Sequence, residues 1–330
     1  MRIGRGTSHG EQTSKSTVVN RVRYAGRMNQ APKDLSDALA PRARVGVIGL
    51  GHMGAPMARN IAAAGFPLGI TARESSAARA QSAVPTAQWY PTPRALAEAS
   101  DVLLLMVPDL PQIEDLLAGD DGLLASVTGC VLVVSSTVSP AGLRALAERV
   151  VAENPAVRLV DAPVSGGTEG AEEGTLSIMV GGADADVQRV VPVLAACGTP
   201  LHLGPLGAGE VAKACNQLIV AGTMTAIAEA AVIAERSGVD LDALFTLFQG
   251  GYAGSRVLET KRAALLARDY QPGGVASYMV KDLRATADEA QATGTSAPLL
   301  ATVRELLDEV VQAGLGEQDL SVVHRYIGER

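Results

Sequence analysis

The chain has 330 residues, of which 47% are hydrophobic, 19% charged and 3% aromatic, and its formal net charge is −7. This length suits two domains, and the composition suits a soluble globular fold whose core is built from Ala, Val, Leu and Ile. The negative charge argues against nucleic-acid binding, which depends on neutralising phosphates with Lys and Arg.

The first 42 residues differ in composition from the rest. They carry eight Lys or Arg against three Asp or Glu and show no sustained apolar period. We expect a disordered tail over 1–42. Met28 offers an alternative start codon within it.

From Ala43 onward, apolar strand segments alternate with helical segments, which predicts a parallel sheet covered on both faces. The predicted strands are 44–50, 68–72, 102–107, 131–135, 158–161, 176–181 and 201–203, with helices such as 141–152 and 185–196 between them. After residue 204 only helices are predicted, at 207–237, 240–248, 256–267, 279–292, 298–313 and 317–327. We therefore expect an α/β domain over 43–205 and an all-α domain over 206–330, begun by a long interdomain helix.

The segment VGVIGLGHMGAPMARNI contains the spacing Gly49-x-Gly51-x-x-Gly54 between a predicted strand and a predicted helix. In that position the pattern is typical of a dinucleotide-binding turn in a Rossmann-type domain, with the cofactor phosphates at the helix N-terminus. The expected cofactor contacts come from Gly49, Leu50, Gly51, His52, Met53 and Gly54.

The end of the second strand bears on the choice of cofactor. Arg73, followed by Ser75 and Ser76, favours the 2′-phosphate of NADP, whereas Glu74 would suit the ribose of NAD. Both cofactors stay open, with NADP favoured. Further cofactor contacts are expected from residues that follow other strands, namely Val107, Pro108, Ser136 and Thr137.

Two further segments carry chemistry. Ser165, Gly166 and Gly167 offer either an anion-binding set of backbone N–H groups or an ordinary flexible hairpin. On the long helix, Lys213, Asn216 and Gln217 are spaced i, i+3 and i+4 and therefore share one face. From the residues alone, such a lysine also suits an extended surface position. Cys215 falls off this face, and we expect it to pack.

Four motifs in order, VGVIGLGHMGAPMARNI, DAPVSGGTEGAEEGTLSIMVGG, GAGEVAKACNQ and YMVKDLRATADEA, resemble the β-hydroxyacid dehydrogenase family of 3-hydroxyisobutyrate dehydrogenases and tartronate semialdehyde reductases. The resemblance covers about residues 43–327. It implies an NAD(P)-dependent oxidoreductase that interconverts a small 3-hydroxy acid and its aldehyde or ketone.

The resemblance also implies residue roles. Lys213 matches the catalytic acid/base, and Ser165, Gly166 and Gly167 match the segment that holds the substrate carboxylate. Asn216 matches the residue that orients the substrate. Lys281 matches a lysine beside the nicotinamide, with Asp282 next to it.

The sequence departs from the family in places. Many members have Asn-Asn where this chain has Asn216-Gln217, a version closer to the tartronate semialdehyde reductases. Many also have Asp where this chain has Val134, which leaves the contacts of Ser136 and Thr137 open. Two alternatives remain: an imine reductase-like NADPH enzyme, against which Lys213 argues, and a non-catalytic cofactor-binding protein of the same fold.

The remaining expectations concern location and assembly. Three scattered cysteines and no histidine constellation predict neither disulfides nor a metal site, and indicate a reducing, cytoplasmic location. The sequence contains no uninterrupted apolar run of the roughly 18 residues expected of a membrane span. We also expect no secretory signal, because the N-terminus lacks the pattern of a charged segment followed by an apolar one. The apolar, Ala-rich helical domain predicts a homodimer or homotetramer.

Overall fold

The computed structural model describes residues 42–119, 121–125 and 129–330, and residues 42–330 form one compact unit. The predicted tail over 1–42 lies outside the described residues, apart from Arg42. The guanidinium of Arg42 lies 5.4 Å from the centroid of the Phe66 ring, a cation–π contact at the start of the described chain.

Within the described residues, nine strands form one sheet, in the order β3-β2-β1-β4-β5-β6-β8-β7 with β9 beside β8. The strands are β1 Val45–Ile48, β2 Leu68–Thr71, β3 Gln88–Trp89, β4 Val102–Leu105, β5 Val131–Val134, β6 Arg158–Asp161, β7 Val164–Ser165, β8 Leu176–Gly181 and β9 Gly198–Gly204. The first six are parallel, and their order is that of a Rossmann-type dinucleotide fold.

The predicted parallel sheet is confirmed for β1 to β6, whereas at one edge β8 runs antiparallel to β6 and β7. The chain returns beside β6 after only a short strand and helix, without the long crossover that a parallel neighbour requires. The strands that the sequence did not reveal, β3 and β7, have two residues each and are too short for any periodicity.

The described part of the chain places these helices beside the sheet: α1 Gly54–Ala63, α2 Ala77–Ala83, α3 Pro93–Glu98, α4 Leu110–Leu117, α5 Pro140–Glu153, α6 Gly167–Glu173 and α7 Asp184–Leu194. Alternate strand side chains enter two separate cores. On β4, Leu104 packs in the core that contains Ile61 of α1, whereas Leu103 and Leu105 pack with Leu143 of α5. Both faces of the sheet are therefore covered, as the continuous apolar strands predict.

The architecture changes between Gly204, where β9 ends, and Ala208, where α8 begins. The helices that follow are α8 Ala208–Arg236, α9 Leu241–Gln249, α10 Arg256–Ala267, α11 Ala276–Ala292, α12 Pro298–Gln312 and α13 Val323–Gly328. A 3₁₀ turn, Leu320–Val322, occupies the start of the last predicted helix. These helices enclose a third core around Phe245, Leu283 and Val303.

Helix α8 is long and apolar enough to cross a membrane by length and composition alone, although polar residues interrupt its apolar sequence. Half of its most apolar segment is buried within the protein. It packs against β8, α11 and α13, so it joins the sheet to the helical part of the chain. This is the composition expected of a core helix with neighbours on several sides.

Candidate active site

The turn between β1 and α1 contains three glycines with different surroundings. Gly49 has φ +96°, and a Cβ there would lie 2.2 Å from the carbonyl oxygen of Met106. A Cβ on Gly54 would lie 1.9 Å from the carbonyl oxygen of Gly49, whereas a Cβ on Gly51 would meet no atom within 4 Å. The outer glycines therefore allow close packing of the turn, and the middle glycine keeps an open space in front of it.

This turn fits the phosphates of a dinucleotide. Met53, at the N-cap of α1, makes no side-chain capping bond, and the first turn of the helix carries no acidic residue. The helix N-terminus is therefore free to face an anion. At the carboxyl ends of β2 and β5, the buried hydroxyls of Thr71 and Ser135 have no hydrogen-bond partner in the described part of the chain. Such polar atoms suit a polar ligand at this edge of the sheet.

The end of β2 carries the residues that bear on cofactor choice. Arg73 is exposed and precedes the 3₁₀ turn Glu74–Ser76, in which Glu74 is exposed as well. The structure thus leaves both the basic and the acidic side chain accessible at the same strand end.

Lys281 of α11 ties together the ends of two strands. Its Nζ donates to the carbonyl oxygens of Pro108, at 2.9 Å, and Thr137, at 2.7 Å, which follow β4 and β5. The N–H of Val107 donates to Ser136 Oγ at 3.0 Å, a second link between the same two strand ends. Four residues predicted to contact the cofactor, Val107, Pro108, Thr137 and Lys281, therefore lie together.

Lys213 lies one turn into α8 and is only 8% exposed. Its Nζ donates to the carbonyl oxygen of Val164 at 2.8 Å. Val164 immediately precedes Ser165, so the ammonium lies beside the Ser-Gly-Gly segment. The alternative of an extended surface lysine is wrong, because this side chain turns inward and bonds to the sheet.

Burial is the main influence on Lys213 and lowers its pKa below the usual lysine range. The neighbouring carboxyls of Asp282 and Glu210 act in the opposite direction, and the positive charge of Lys281 lowers the pKa further. A lysine with a lowered pKa is better matched to proton transfer near neutral pH than an ordinary one.

The Ser-Gly-Gly segment is a defined turn from β7 into α6. Gly166 and Gly167 have φ of +136° and +66°, conformations that favour glycine, and a Cβ on Gly167 would meet no atom within 4 Å. The alternative of an ordinary hairpin does not describe this strand-to-helix turn. Its backbone stays accessible beside Lys213.

A chain of polar contacts extends along α8 to α11. Asn216 Nδ2 donates to Gln217 Oε1 at 2.9 Å, and Gln217 Nε2 donates to Asp282 Oδ2 at 2.7 Å. Asp282 Oδ1 lies 3.5 Å from Lys281 Nζ. The two adjacent carboxamides are therefore linked to the lysine that joins the strand ends.

Two buried carboxyls that the sequence did not single out lie where α8 begins. Asp161 accepts hydrogen bonds from the N–H groups of Gly207, at 2.7 Å, and Glu210, at 2.8 Å. Glu210 Oε2 accepts from the N–H of Val138 at 3.2 Å, and its other oxygen has no partner among the described residues. Burial raises the pKa of Asp161, and raises that of Glu210 well above its usual range. The sequence signal that could have identified Glu210 is its position as an acidic residue in the first turn of an otherwise apolar helix.

The cysteines differ in part from expectation. Cys130 and Cys197 are buried and free, but Cys215 is exposed, so its predicted packing is wrong for this chain. It lies on the outer side of α8, opposite Lys213. Within the described ranges no group of His, Cys, Asp and Glu has the arrangement of a metal site.

Comparison with known families gives a consistent result. Residues 44–207 match the NAD binding domain of 6-phosphogluconate dehydrogenase, and residues 207–327 match the NAD-binding model of NADP-dependent 3-hydroxyisobutyrate dehydrogenase. Together these models cover nearly all of the described chain.

Individual relatives match over most of their length. The chain is 38% identical over 282 residues to 2-hydroxy-3-oxopropionate reductase of Escherichia coli, covering 85% of this chain and 95% of the relative. It is 34% identical over 302 residues to NAD-dependent L-serine dehydrogenase of Pseudomonas aeruginosa, covering 86% and 97%. The structure of Mycobacterium tuberculosis 3-hydroxyisobutyrate dehydrogenase with L-serine matches with a TM-score of 0.77 and 30% identity, over 87% of this chain and 99% of that chain. The chain therefore belongs to the β-hydroxyacid dehydrogenase family and is an NAD(P)-dependent hydroxyacid dehydrogenase.

Proposed function

We propose that this enzyme interconverts a small 3-hydroxy acid and its semialdehyde, with 2-hydroxy-3-oxopropionate as the preferred oxidised substrate and Lys213 as the general acid and base. The observation that carries the proposal is the buried ammonium of Lys213, held 2.8 Å from the carbonyl oxygen of Val164 beside the Ser-Gly-Gly turn. The Asn216-Gln217 pair and the 38% identity to 2-hydroxy-3-oxopropionate reductase support the substrate.

The substrate carboxylate binds at Ser165, Gly166 and Gly167 in this proposal. Gly166 and Gly167 have positive φ and carry no side chain that would cover their backbone N–H groups, and the space in front of Gly167 is open. Backbone N–H groups and one hydroxyl suit an anion that must be oriented as well as held. With its carboxylate fixed there, the substrate carbonyl reaches the nearby ammonium of Lys213.

The cofactor binds along Gly49–Gly54 and the strand ends joined by Lys281, and when bound it supplies the hydride in reduction and accepts it in oxidation. In reduction Lys213 donates a proton to the carbonyl oxygen, and in oxidation neutral Lys213 takes the hydroxyl proton. Until it gives up its proton, the ammonium stabilises the negative charge that develops on that oxygen. Burial serves both steps, because it lowers the pKa of Lys213 toward working pH. Asn216 orients the substrate on the same helical face.

We also propose a preference for NADP. Arg73 stands exposed at the end of β2, where a guanidinium suits the 2′-phosphate. Glu74 follows it inside a 3₁₀ turn, so of these two charged residues the arginine lies nearer to the end of the strand.

For assembly, we propose a homo-oligomer that covers the outer face of α8 with a second copy of the chain. Ile219 and Ile233 on that face are each 67% exposed, and Leu299 of α12 is 58% exposed. Such large apolar side chains favour contact with another surface. The free cysteines Cys130, Cys197 and Cys215 suit a reducing compartment and so support a cytoplasmic location.

The test is a kinetic panel with NADPH and NADH in turn. The substrates are 2-hydroxy-3-oxopropionate, 3-oxopropionate, glyoxylate and succinic semialdehyde for reduction, and 3-hydroxyisobutyrate and L-serine for oxidation. We expect the highest kcat/KM with 2-hydroxy-3-oxopropionate and NADPH. Bound cofactor without turnover of any compound would overturn the proposal in favour of a non-catalytic cofactor-binding protein.

A further inference from the structure

Gln217 is a buried carboxamide between two other polar side chains, and the proton-transfer chemistry leaves it without a role. It is 8% exposed and carries three contacts: Asn216 Nδ2 at 2.9 Å, Asp282 Oδ2 at 2.7 Å and the thioether of Met279 at 3.7 Å. Both ends of its amide are committed, so the side chain has one arrangement in which all its partners are satisfied.

The direction of these hydrogen bonds follows from the carboxylate at one end. An ionised Asp282 only accepts hydrogen bonds, so Gln217 must present its NH₂ to Asp282 and its oxygen to Asn216. Lys281 Nζ, 3.5 Å from Asp282 Oδ1, favours the ionised form. Burial is the largest influence and raises the pKa of Asp282 above its usual value, although Lys281, Lys213 and the Gln217 hydrogen bond each lower it.

The consequence reaches Asn216, the residue proposed to orient the substrate. Because Gln217 offers an oxygen, Asn216 must turn its NH₂ group toward Gln217. Its own oxygen then accepts no hydrogen bond from any residue in the described part of the chain. Asn216 is only half-buried, so this oxygen is available to a ligand.

We propose that Gln217 is a positioning residue that fixes the amide of Asn216 so that its oxygen accepts a hydrogen bond from a substrate hydroxyl. An amide oxygen facing the substrate attracts a hydroxyl donor and disfavours a carboxylate, which therefore binds elsewhere, at the Ser-Gly-Gly turn. The inference rests on the proposed function, and it makes the enzyme select semialdehydes that carry a hydroxyl group beside the carboxylate.

Two substrates isolate this effect. 2-Hydroxy-3-oxopropionate and 3-oxopropionate differ only in the hydroxyl, so the ratio of their kcat/KM values reports on its recognition. A site built to bond a hydroxyl discriminates strongly against an analogue without it. We expect the wild-type ratio to be about tenfold or more in favour of the hydroxylated compound.

The variants separate positioning from general loosening of the helices. Gln217→Met keeps the size of the side chain but neither bond, and we expect its ratio to fall close to one. Gln217→Glu still accepts from Asn216, and we expect it to keep the ratio even if it lowers stability. Thr286→Val is the matched control, since it removes a hydroxyl that joins the same two helices, through the carbonyl oxygens of Ala214 and Asp282, without touching Asn216. It should keep the wild-type ratio.

A double-mutant cycle completes the test. If Gln217 acts through Asn216, then Gln217→Met adds nothing to the loss of selectivity in Asn216→Ala. A wild-type ratio in Gln217→Met, a lost ratio in Gln217→Glu, or additive losses in the double variant would each overturn the inference while the proposed function stands. Wild-type enzyme that reduces neither compound would overturn both.

Discussion

Alanine substitutions at Gly51 and Gly54 distinguish the effect of this turn on cofactor binding from its effect on the packing of α1 against β1. In Gly54→Ala the new methyl group would lie 1.9 Å from the carbonyl oxygen of Gly49, far inside van der Waals contact, and that neighbour is backbone. Helix α1 must then move away from β1. In Gly51→Ala the methyl group meets no protein atom within 4 Å, and the residue has no positive φ, so the backbone accepts it.

We expect Gly54→Ala to affect mainly the free energy of unfolding, and Gly51→Ala to affect mainly the Kd of the cofactor. Overpacking of this sort typically costs 1–3 kcal/mol, so we expect Gly54→Ala to lower the free energy of unfolding by about 2 kcal/mol. For a chain of this size that corresponds to a fall in Tm of about 5 °C. Gly51→Ala should change the free energy of unfolding by less than about 0.5 kcal/mol. Its methyl group would occupy the space proposed for the cofactor phosphates, so the cofactor Kd should rise about tenfold or more, which corresponds to about 1.4 kcal/mol.

The assays are urea unfolding followed by circular dichroism and titration of each variant with NADPH, followed by cofactor fluorescence. We expect Gly51→Ala to be as stable as the wild type but to bind NADPH weakly, and Gly54→Ala to be less stable than the wild type. Wild-type Kd in Gly51→Ala would show that the phosphates do not approach this turn. Wild-type stability in Gly54→Ala would refute the packing argument.

The remaining predictions concern cofactor choice and stability. Arg73→Ala should raise the KM for NADPH about tenfold and leave that for NADH nearly unchanged, as steady-state kinetics with both cofactors would show; equal effects on both would count against the NADP preference. Asp319→Asn should cost about 3 kcal/mol at pH 7, because Asp319 is buried, bonded to Lys261 at 2.7 Å, and accepts from neighbouring backbone N–H groups. Burial raises the pKa of Asp319, but Lys261 and Ser321 lower it more, so its net pKa lies below 3.8. Its stabilisation is therefore present above that value and lost as the pH falls through the folded pKa, and the difference from Asp319→Asn in urea unfolding should shrink there. Asp161→Asn should cost about 2 kcal/mol and lower kcat, because it places an NH₂ group against a backbone N–H at the start of the helix that carries Lys213; unchanged unfolding in urea would contradict it.

Much of the fold follows from local sequence pattern. The continuous apolar strands and the Gly49-x-Gly51-x-x-Gly54 turn specify a parallel sheet with a dinucleotide site, and the end of the strand signal at residue 204 marks the change to helices. The antiparallel position of β8 does not follow, because strand direction depends on how the chain returns and not on the residues of the strand. Strands of two residues carry no period at all.

In the candidate site, too, the sequence predicts the local arrangement of residues but not their contacts with distant segments. The helical spacing of Lys213, Asn216 and Gln217 places them on one face from sequence alone. Their partners come from distant segments: the carbonyl oxygen of Val164 is 49 residues from Lys213, and Asp282 is 65 residues from Gln217. Backbone carbonyls carry no signal in a sequence, so the contact that orients Lys213 could not be predicted. The exposure of Cys215 likewise depends on which neighbours cover α8.

The most direct test of the central claim is the pH dependence of kcat/KM in wild type and in Lys213→Met, measured in both reaction directions with saturating cofactor. Reduction requires protonated Lys213, so its rate should fall as the pH rises through the pKa of that lysine, which burial places below 10.5. Oxidation requires the neutral amine and should rise over the same range. In Lys213→Met both limbs should disappear and kcat should fall by about 10² to 10⁴, with the NADPH Kd unchanged. A variant that keeps the wild-type pH profile, or loses less than about tenfold in kcat, would contradict the assignment of Lys213 as the acid and base.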